Sequence, residues 1–227
     1  MILTKKKLLF IHIEKTGGNS LSQLMKKYSD EQIFKHSGHS DGYETFEIKG
    51  KFTKNKHQDL EKYNKLLGKN FNKFKFFTII RNPLDRLISA YYMKDKSLHP
   101  NFFVRRINHF TKKRFNFFIF NHTYYRNIMP SFSHDNFLDF IKNFRNQTDY
   151  FLIKNKLIYP DFIIRFENYK EDIENFCKKF KIDYQNIHIN KSDKKKFIIS
   201  EMKNLEKLVL STHHKKDYET FNYRFLD

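Results

Sequence analysis

The sequence predicts an α/β protein, built as a three-layer sandwich around a mostly parallel central sheet. Short apolar runs alternate along the chain with segments of helical periodicity, as they do in successive β-α units. Several of these runs end in glycine or in Asn-Pro, where a strand gives way to a loop and then to a helix. At 227 residues the chain is long enough for one sizeable core, so a single domain over residues 1–227 is expected.

The first third of the chain predicts two strands and two helices. "KKLLFIHI" is a short apolar run followed by a Gly-Gly pair, and it predicts a buried strand with a helix from about Ser20 to Tyr28. A second, shorter strand ends near His36 and leads into a glycine-containing loop that also carries His39. Residues 51–73 are rich in lysine and predict a solvated helix and turn.

A strong strand, "KFKFFTII", precedes the clearest helix start in the sequence. Asn82 suits the N-cap, Pro83 the first helical position and Asp85 the first turn. Residues 97–134 mix aromatic and basic side chains without a clean period, which predicts an irregular or partly helical cover over the core. Beyond them, the patterns predict a helix in "HDNFLDFIKNF", a strand in "YPDFIIRFE", a helix in "NYKEDIENFCKKF" and one long terminal helix in "SEMKNLEKLVLSTHHKKDYETF".

The formal net charge is +19, from 44 Lys and Arg residues against 25 Asp and Glu residues. A charge of this size suggests a polyanionic partner such as nucleic acid, an acidic glycan or a membrane surface. A second explanation is the codon usage of an AT-rich genome, since the chain is also rich in Asn, Ile and Phe and lacks Trp. Composition alone leaves both explanations open.

The cysteine content and the hydropathy of the chain together indicate in which cellular compartment the protein is expected. Cys177 is the sole cysteine, so intramolecular disulfides are impossible and a reducing environment is favoured. The basic N-terminus runs directly into the first strand without a small-residue cleavage site, and no apolar run approaches the about 20 residues that span a bilayer. A cytoplasmic protein without a membrane span is therefore expected.

Polar segments follow the predicted strands at the edge where α/β proteins bind ligands. In a parallel sheet, that edge is formed by the carboxyl ends of the strands. Residues 15–20 follow the first strand, residues 36–39 follow the second, and Arg81 follows the third. One site could use all three segments.

The loop "EKTGGNS" has the features of an anion site. It leads into a helix N-terminus, where backbone N–H groups and the helix dipole favour negative charge. Gly17 and Gly18 let the backbone approach a ligand, Lys15 supplies a full charge, and Thr16 and Ser20 supply hydroxyl donors. The loop predicts a phosphate or an isosteric group, and the alternative is a tight turn with an exposed lysine.

The order of residues in this loop argues against an ATPase or GTPase. In a Walker A motif the lysine follows the glycines, whereas Lys15 precedes them. Glu167, after the apolar run "DFIIRF", is a possible Mg²⁺ ligand for such an enzyme. A nucleotide-dependent kinase is therefore a weaker hypothesis.

The segment "RNPLDRLISAYY" offers a second anion-binding group. Arg81 stands at a strand end and Ser89 about two turns into the next helix, so both could face the loop edge. Arginine suits bidentate recognition of phosphate, and serine can add a hydrogen bond. The alternative is that Arg81 and Arg86 pair with Asp85 and solvent.

Together these segments resemble the carbohydrate sulfotransferase family. "FIHIEKTGGNSL" is similar to the 5′-phosphosulfate loop of that family, and "RNPLDRLISAYY" is similar to its 3′-phosphate motif. The resemblance continues in "PDFIIRFENYKEDIENFCKKF" and in the terminal "KKDYETFNY". Two phosphate motifs in order are more specific than either one alone. The nearest likeness is to the heparan and chondroitin O-sulfotransferases and their soluble microbial or viral relatives.

The resemblance implies a P-loop-like fold that binds 3′-phosphoadenosine 5′-phosphosulfate (PAPS). The implied reaction moves the sulfuryl group to a carbohydrate hydroxyl and leaves 3′-phosphoadenosine 5′-phosphate (PAP). Lys15 would neutralise the departing phosphate, and no metal is required because Lys and Arg supply the positive charge. The implied donor-binding residues are Lys15, Thr16, Gly17, Gly18, Asn19, Ser20, Arg81 and Ser89.

Two positions in the loop depart from the family. The family usually has Pro where this chain has Glu14, and Thr where it has Asn19. Asn19 keeps a side chain that forms hydrogen bonds. The Glu14 carboxylate would weaken anion binding unless it points away or pairs with a lysine.

The general base implied by the resemblance is a histidine downstream of the first loop, as in heparan sulfotransferases. "HSGHSDG" resembles that region, which makes His39 the first candidate and His36 the alternative. A positioned base of this kind contributes about 10²- to 10⁴-fold to the rate. Either histidine could instead be an ordinary surface residue.

The implied acceptor is a carbohydrate, neutral or anionic, and no nucleic-acid partner is expected. Rings and cations in residues 101–126 could stack on sugars and pair with carboxylates, although a helix that packs its Phe side on the core explains them equally. Lys191 and Ser192 could reach the 3′-phosphate. The alternatives are a basic polyanion or nucleic-acid binding protein, and a homologue that binds the donor without turnover.

Overall fold

A computed structural model gives the structure of the chain. It describes residues 1–29, 32–34, 45–48, 51–53, 57–97, 134–184 and 202–225. Two compact units make up the chain. The first contains Met1–Arg86, Arg145–Lys196 and His214–Asp227, and the second contains Leu87–Phe144 and Phe197–His213. The single domain over residues 1–227 stays a prediction.

Nine short strands occur in the described part of the chain. In chain order they are β1 (Ile2–Leu3), β2 (Leu8–Ile11), β3 (Gln32–Phe34), β4 (Thr45–Ile48), β5 (Lys51–Thr53), β6 (Lys75–Ile80), β7 (Leu152–Ile153), β8 (Lys156–Leu157) and β9 (Phe162–Arg165). The principal sheet has the order β1-β2-β6-β9. Strands β2, β6 and β9 run parallel, while β1 pairs antiparallel with β2. The sheet is therefore mixed but mostly parallel.

The α-helices of the described residues flank this sheet or belong to the second unit. In chain order they are α1 (Gly18–Met25), α2 (Leu60–Leu67), α3 (Pro83–Ser97), α4 (His134–Asn143), α5 (Tyr169–Phe180), α6 (Asn204–His213) and α7 (Lys215–Phe221). Asn82 caps α3, because its Oδ1 accepts hydrogen bonds from the backbone N–H groups of Leu84 and Asp85 at 3.0 and 3.4 Å. The predicted helix start is confirmed.

The principal sheet is buried on both faces. Alternate residues of its strands point to opposite sides, and each side packs against other elements. One face packs against α1 and α5, and the other against α2 and the last residue of α7. The first core includes Leu8, Phe10, Phe77, Ile79, Ile164, Leu21 and Phe176, and the second includes Leu9, Ile11, Phe76, Ile80, Leu60, Tyr63 and Phe221. These three layers confirm the predicted fold class.

The second unit has its own aromatic packing. Tyr91 of α3 makes edge-to-face contacts with Phe137 and Phe140 of α4, with ring centroids 5.1 and 5.5 Å apart. Helix α4 also packs against α6. The predicted helix in "HDNFLDFIKNF" is confirmed as α4.

The structure corrects the prediction of a solvated helix and turn for residues 51–73. Residues Lys51–Thr53 form β5, and α2 begins only at Leu60. Leu60 and Tyr63 are buried, and the Tyr63 hydroxyl lies 2.6 Å from the Met1 ammonium nitrogen that donates to it. The lysines lie on the remaining face of α2, so this helix is amphipathic and contributes to the core.

The prediction of one long terminal helix is also wrong. The segment forms two helices, α6 and α7, which are separated at His214. His214 has a non-helical backbone (φ −106°, ψ 9°), and the N–H groups of Asp217 and Tyr218 both donate to its carbonyl. Asp217 of α7, which lies in the first unit, accepts hydrogen bonds from Gln147 and Thr148, as shown below.

Candidate functional site

The loop between β2 and α1 turns through two left-handed residues. Lys15 has φ 66° and Gly17 has φ 85°. Gly17 is the N-cap residue of α1 and, having no side chain, supplies no acceptor of its own to the first helical turn. The positive end of the helix dipole therefore lies at the loop, as the sequence predicted for an anion site.

The Thr16 hydroxyl forms a hydrogen bond within the loop. The side chain is fully buried, and its Oγ1 donates a hydrogen bond to the carbonyl oxygen of Ile13 at 2.9 Å. The hydroxyl thus closes the turn.

Both glycines are required by protein contacts around the loop. A Cβ atom at Gly17 would lie 2.9 Å from the Phe166 ring, and the positive φ would strain any other residue. A Cβ atom at Gly18 would collide with the imidazole of His12. The Gly-Gly pair is therefore fixed by packing as well as by its position at the helix N-terminus.

Tyr169, at the start of α5, holds the loop from the other side. Its hydroxyl donates to the carbonyl oxygen of Gly17 at 3.0 Å. Burial raises the pKa of Tyr169, so the phenol stays protonated. No sequence pattern singled out this residue, although it lies within the segment "ENYKED" of the family resemblance.

The structure brings Arg81 to the same loop. Arg81 follows β6, and its Nη1 lies 3.5 Å from the carbonyl oxygen of Lys15. The guanidinium carbon lies 4.3 Å from the centroid of the Phe166 ring, in a cation–π contact. A Cβ atom at Gly17 would meet the same ring, so Phe166 packs beside both the loop and the arginine.

The charge of Arg81 lacks an acidic partner among the described residues. No carboxylate there lies within 4.0 Å of its guanidinium, and its buried Nε has no hydrogen-bond acceptor among those residues. Burial lowers the pKa of Arg81, and the more distant charges of Asp85 and Glu167 partly oppose that effect. A half-buried guanidinium that has no carboxylate partner among the described residues is suited to bind an anion from solution.

Glu14 does not face the loop as an isolated negative charge. Its carboxylate lies 3.7 Å from the guanidinium of Arg86, which also donates from Nε to the Glu14 carbonyl at 3.0 Å. Arg86 further donates from Nη1 to the carbonyl of Arg145 at 2.8 Å. The alternative in which Arg86 pairs with Asp85 and solvent is therefore wrong, because Arg86 is buried and contacts the loop.

A comparison with known families matches a model of the sulfotransferase family over residues 1–224. The chain belongs to the sulfotransferase family. This confirms the resemblance drawn from the two phosphate motifs, at the level of the family. Comparisons with curated proteins and with solved structures give no match.

The loop contacts described above do not include the other residues that were predicted for the site of this sulfotransferase. Ser89 is in α3, is buried, and belongs to the second unit. His36 and His39 lie outside the described residues, as do residues 101–126, Lys191 and Ser192. Their roles stay predictions.

Glu167 is fully engaged in hydrogen bonds. Its Oε1 accepts from the backbone N–H of Asn82 at 2.7 Å, and its Oε2 accepts from the Tyr223 hydroxyl at 2.9 Å. These bonds connect the segment that follows β9, and the C-terminal segment, to the start of α3. They give Glu167 a structural role in this sulfotransferase and provide no support for a Mg²⁺-dependent kinase.

The described residues contain neither a cluster of metal-binding side chains nor a membrane-spanning helix. No group of three or more His, Cys, Asp or Glu side chains there could hold a metal ion. Likewise, none of the helices in the described ranges is long and apolar enough to cross a membrane.

Proposed function

We propose that this sulfotransferase moves a sulfuryl group from PAPS to a hydroxyl group of a carbohydrate acceptor. Membership of the family supports sulfuryl transfer. The observation that carries the choice of donor is Arg81: its guanidinium lies against the Lys15 loop and has no carboxylate partner among the described residues. PAPS has anionic groups at both its 5′ and 3′ positions, which suits two neighbouring cationic elements.

The proposed donor-binding residues fall into two groups. The loop and first turn of α1 would bind the 5′-phosphosulfate through Lys15, Thr16, Gly17, Gly18, Asn19 and Ser20. Arg81 would bind the 3′-phosphate, with Ser89 as a supporting donor. The pairing of Glu14 with Arg86 removes an objection to this assignment, because the carboxylate is offset by a buried cation.

The chemistry requires charge stabilisation and a base. When bound, PAPS supplies the sulfuryl group together with a phosphate leaving group. Lys15 would stabilise the negative charge that develops on that phosphate, and the N-terminus of α1 would share this function. Because Lys15 and Arg81 supply the positive charge, the proposal includes no metal ion.

The proposed base is His39, with His36 as the alternative. A neutral imidazole would accept the proton of the acceptor hydroxyl as the oxygen attacks sulfur. The acceptor is proposed to be a carbohydrate, neutral or anionic, that contacts residues 101–126. These assignments rest on the resemblance of "HSGHSDG" and on the rings and cations of the later segment.

Calorimetric titration of the purified protein tests the donor. The ligands are PAP, AMP, and ATP with Mg²⁺, where PAP and AMP differ only in the 3′-phosphate. We expect PAP to bind at least about tenfold more tightly than AMP, since AMP lacks the group that Arg81 would hold. Preference for ATP with Mg²⁺ would indicate a kinase, and the absence of nucleotide binding would contradict the proposal.

An arginine variant makes the same test residue-specific. Arg81→Ala should lower the affinity for PAP and leave the affinity for AMP nearly unchanged. The exposed Arg224 supplies the matched control, since Arg224→Ala removes an equal charge from the C-terminal segment. An equal loss of PAP affinity in both variants would show that only overall charge matters.

A further inference from the structure

The backbone of Arg81 is held by a side chain from a distant part of the first unit. Arg81 lies one residue beyond β6, where the sheet has ended. The Gln147 side chain takes the place of a neighbouring strand: its Oε1 accepts from the Arg81 N–H at 2.9 Å, and its Nε2 donates to the Arg81 carbonyl at 2.8 Å. The backbone N–H and the backbone carbonyl of Arg81 are both fixed by these bonds.

Gln147 is in turn fixed by Asp217 of α7. Gln147 is fully buried, and its backbone N–H donates to Oδ2 of Asp217 at 2.7 Å. The other carboxylate oxygen, Oδ1, accepts from the backbone N–H and the hydroxyl of Thr148, each at 2.9 Å. Asp217 therefore caps the short 3₁₀ helix Thr148–Phe151 from outside that helix.

The Asp217 carboxylate is completely buried, and no cation among the described residues lies within 4.0 Å of it. Burying a carboxylate without an adjacent counter-ion is costly, and here three neutral hydrogen-bond donors compensate that cost together with the more distant positive charge of Arg86. All three donors belong to Gln147 and Thr148. Asp217 therefore fixes the position of Gln147, which in turn binds the Arg81 backbone.

Within the described ranges, the Arg81 guanidinium has few contacts of its own. It stacks on Phe166, and Nη1 makes one long bond of 3.5 Å to the Lys15 carbonyl. The direction in which the side chain leaves the backbone therefore depends on how firmly the Arg81 peptide is held. Bidentate recognition of a phosphate is sensitive to this direction, because both N–H groups must meet their oxygens together.

We propose that Gln147 and Asp217 are positioning residues that orient Arg81 toward the 3′-phosphate of the donor. The inference rests on the proposed function, since it assigns Arg81 to that phosphate. It predicts that a defect in the Asp217–Gln147–Arg81 series of hydrogen bonds lowers affinity for PAP specifically. AMP has the same 5′-phosphate and base, so its affinity reports on the rest of the site.

The decisive quantity is the ratio of PAP to AMP affinity, measured by calorimetry. Asp217→Asn keeps the shape of the side chain but places an N–H₂ group among the N–H donors of Gln147 and Thr148. We expect the ratio to fall about tenfold or more in this variant. Gln147→Ala removes both bonds to the Arg81 peptide directly and should give the same fall, which covers the case in which Asp217→Asn does not fold.

Asp161→Asn is the matched control. Asp161 accepts a hydrogen bond from the Phe76 N–H at 2.8 Å, at the opposite end of β6 from Arg81. This variant should keep the wild-type ratio even if its melting temperature falls. Folded Asp217→Asn and Gln147→Ala proteins that keep the wild-type ratio would overturn the positioning role. A wild-type protein that does not distinguish PAP from AMP would overturn the proposed function and this inference together.

Discussion

The carboxylate of Glu14 lies 3.7 Å from the guanidinium of Arg86, whose side chain is only 1% exposed. Arg86 also binds the Glu14 and Arg145 carbonyl groups, so it connects the start of the loop to a segment far along the chain. Burial lowers the pKa of Arg86, and nearby negative groups, including Asp217 and Glu14, oppose that effect. The pair therefore supports the loop and offsets the charge of Glu14.

Arg86→Met should destabilise the protein by about 3 kcal/mol. Two carbonyl groups would lose charged donors, and the Glu14 carboxylate would lose its cation. The Glu14 side chain is 35% exposed and can be hydrated, which places the cost at the lower end for a broken buried pair. Urea unfolding gives the stability, and titration with PAP should show weaker binding.

The double variant Glu14→Gln/Arg86→Met distinguishes two causes of weaker PAP binding. One is the uncompensated charge of Glu14, and the other is the loss of the hydrogen bonds that Arg86 donates to the loop. If the loss of PAP affinity comes from the uncompensated carboxylate, the double variant should recover affinity without recovering stability. A double variant that binds PAP as weakly as Arg86→Met would show that the lost hydrogen bonds account for the defect.

Gly18→Ala should destabilise the protein although Gly18 begins a helix. Alanine usually stabilises a helical position relative to glycine. Here its Cβ would collide with the His12 imidazole, and overpacking of a buried site costs about 1–3 kcal/mol. The midpoint of thermal or urea unfolding measures the change.

The same substitution in a His12→Ala background supplies the control. With the imidazole removed, the new methyl group has space, so Gly18→Ala should cost less there than in the wild-type protein. Equal costs in the two backgrounds would mean that the His12 contact is not the cause.

The sequence predicted those parts of the site that depend on local pattern. The strand, Gly-Gly loop and helix around Lys15 follow from an apolar run and its termination, and the cap at Asn82 follows from an Asn-Pro start. Both motifs precede helices at the carboxyl ends of parallel strands, which is why Arg81 and the loop were expected to meet.

The remaining parts depend on contacts that no local pattern records. Asp217 and Gln147 are 70 residues apart, and each alone resembles an ordinary polar residue of a helix or turn. Leu210, His214 and Phe221 keep helical spacing across the break between α6 and α7, so periodicity predicted one helix. The alternative that pairs Arg86 with Asp85 and solvent fails because the partners of Arg86 include two backbone carbonyls, which a sequence does not reveal.

Cys177 should be unreactive in the folded protein. It is 2% exposed, and burial raises the pKa of its thiol to about 11. At pH 8 the thiolate would be about one part in a thousand of the total, and thiolate is the reactive form. Labelling with a thiol reagent should therefore be slow in buffer and complete in denaturant.

The raised pKa of Cys177 also has a consequence for stability. Folding favours the protonated thiol, so this contribution is full below the unfolded pKa near 9 and is lost as the pH rises toward 11. The Cys177→Val protein has no thiol to titrate, so its stability should fall less between pH 9 and pH 11 than that of the wild-type protein. Rapid labelling of the native protein at pH 8 would contradict the assigned environment.

Lys15→Ala and His39→Ala should separate donor binding from proton transfer. His39→Ala is expected to lower turnover by about 10²- to 10⁴-fold with unchanged affinity for PAP, because a base acts on the acceptor. Lys15→Ala should lower both, because its ammonium would contact the donor phosphate in the ground state and in the transition state. Turnover would be measured with a radiolabelled donor and a glycan acceptor found by screening, and affinity by calorimetry.

His36→Ala is the matched control for the base, since it removes an imidazole from the same segment. Full turnover in His39→Ala together with loss in His36→Ala would move the base to His36. Full turnover in both variants would exclude this segment as the source of the base. A fall in PAP affinity in His39→Ala would instead indicate that the imidazole contacts the donor, because proton transfer from the acceptor does not require such a contact.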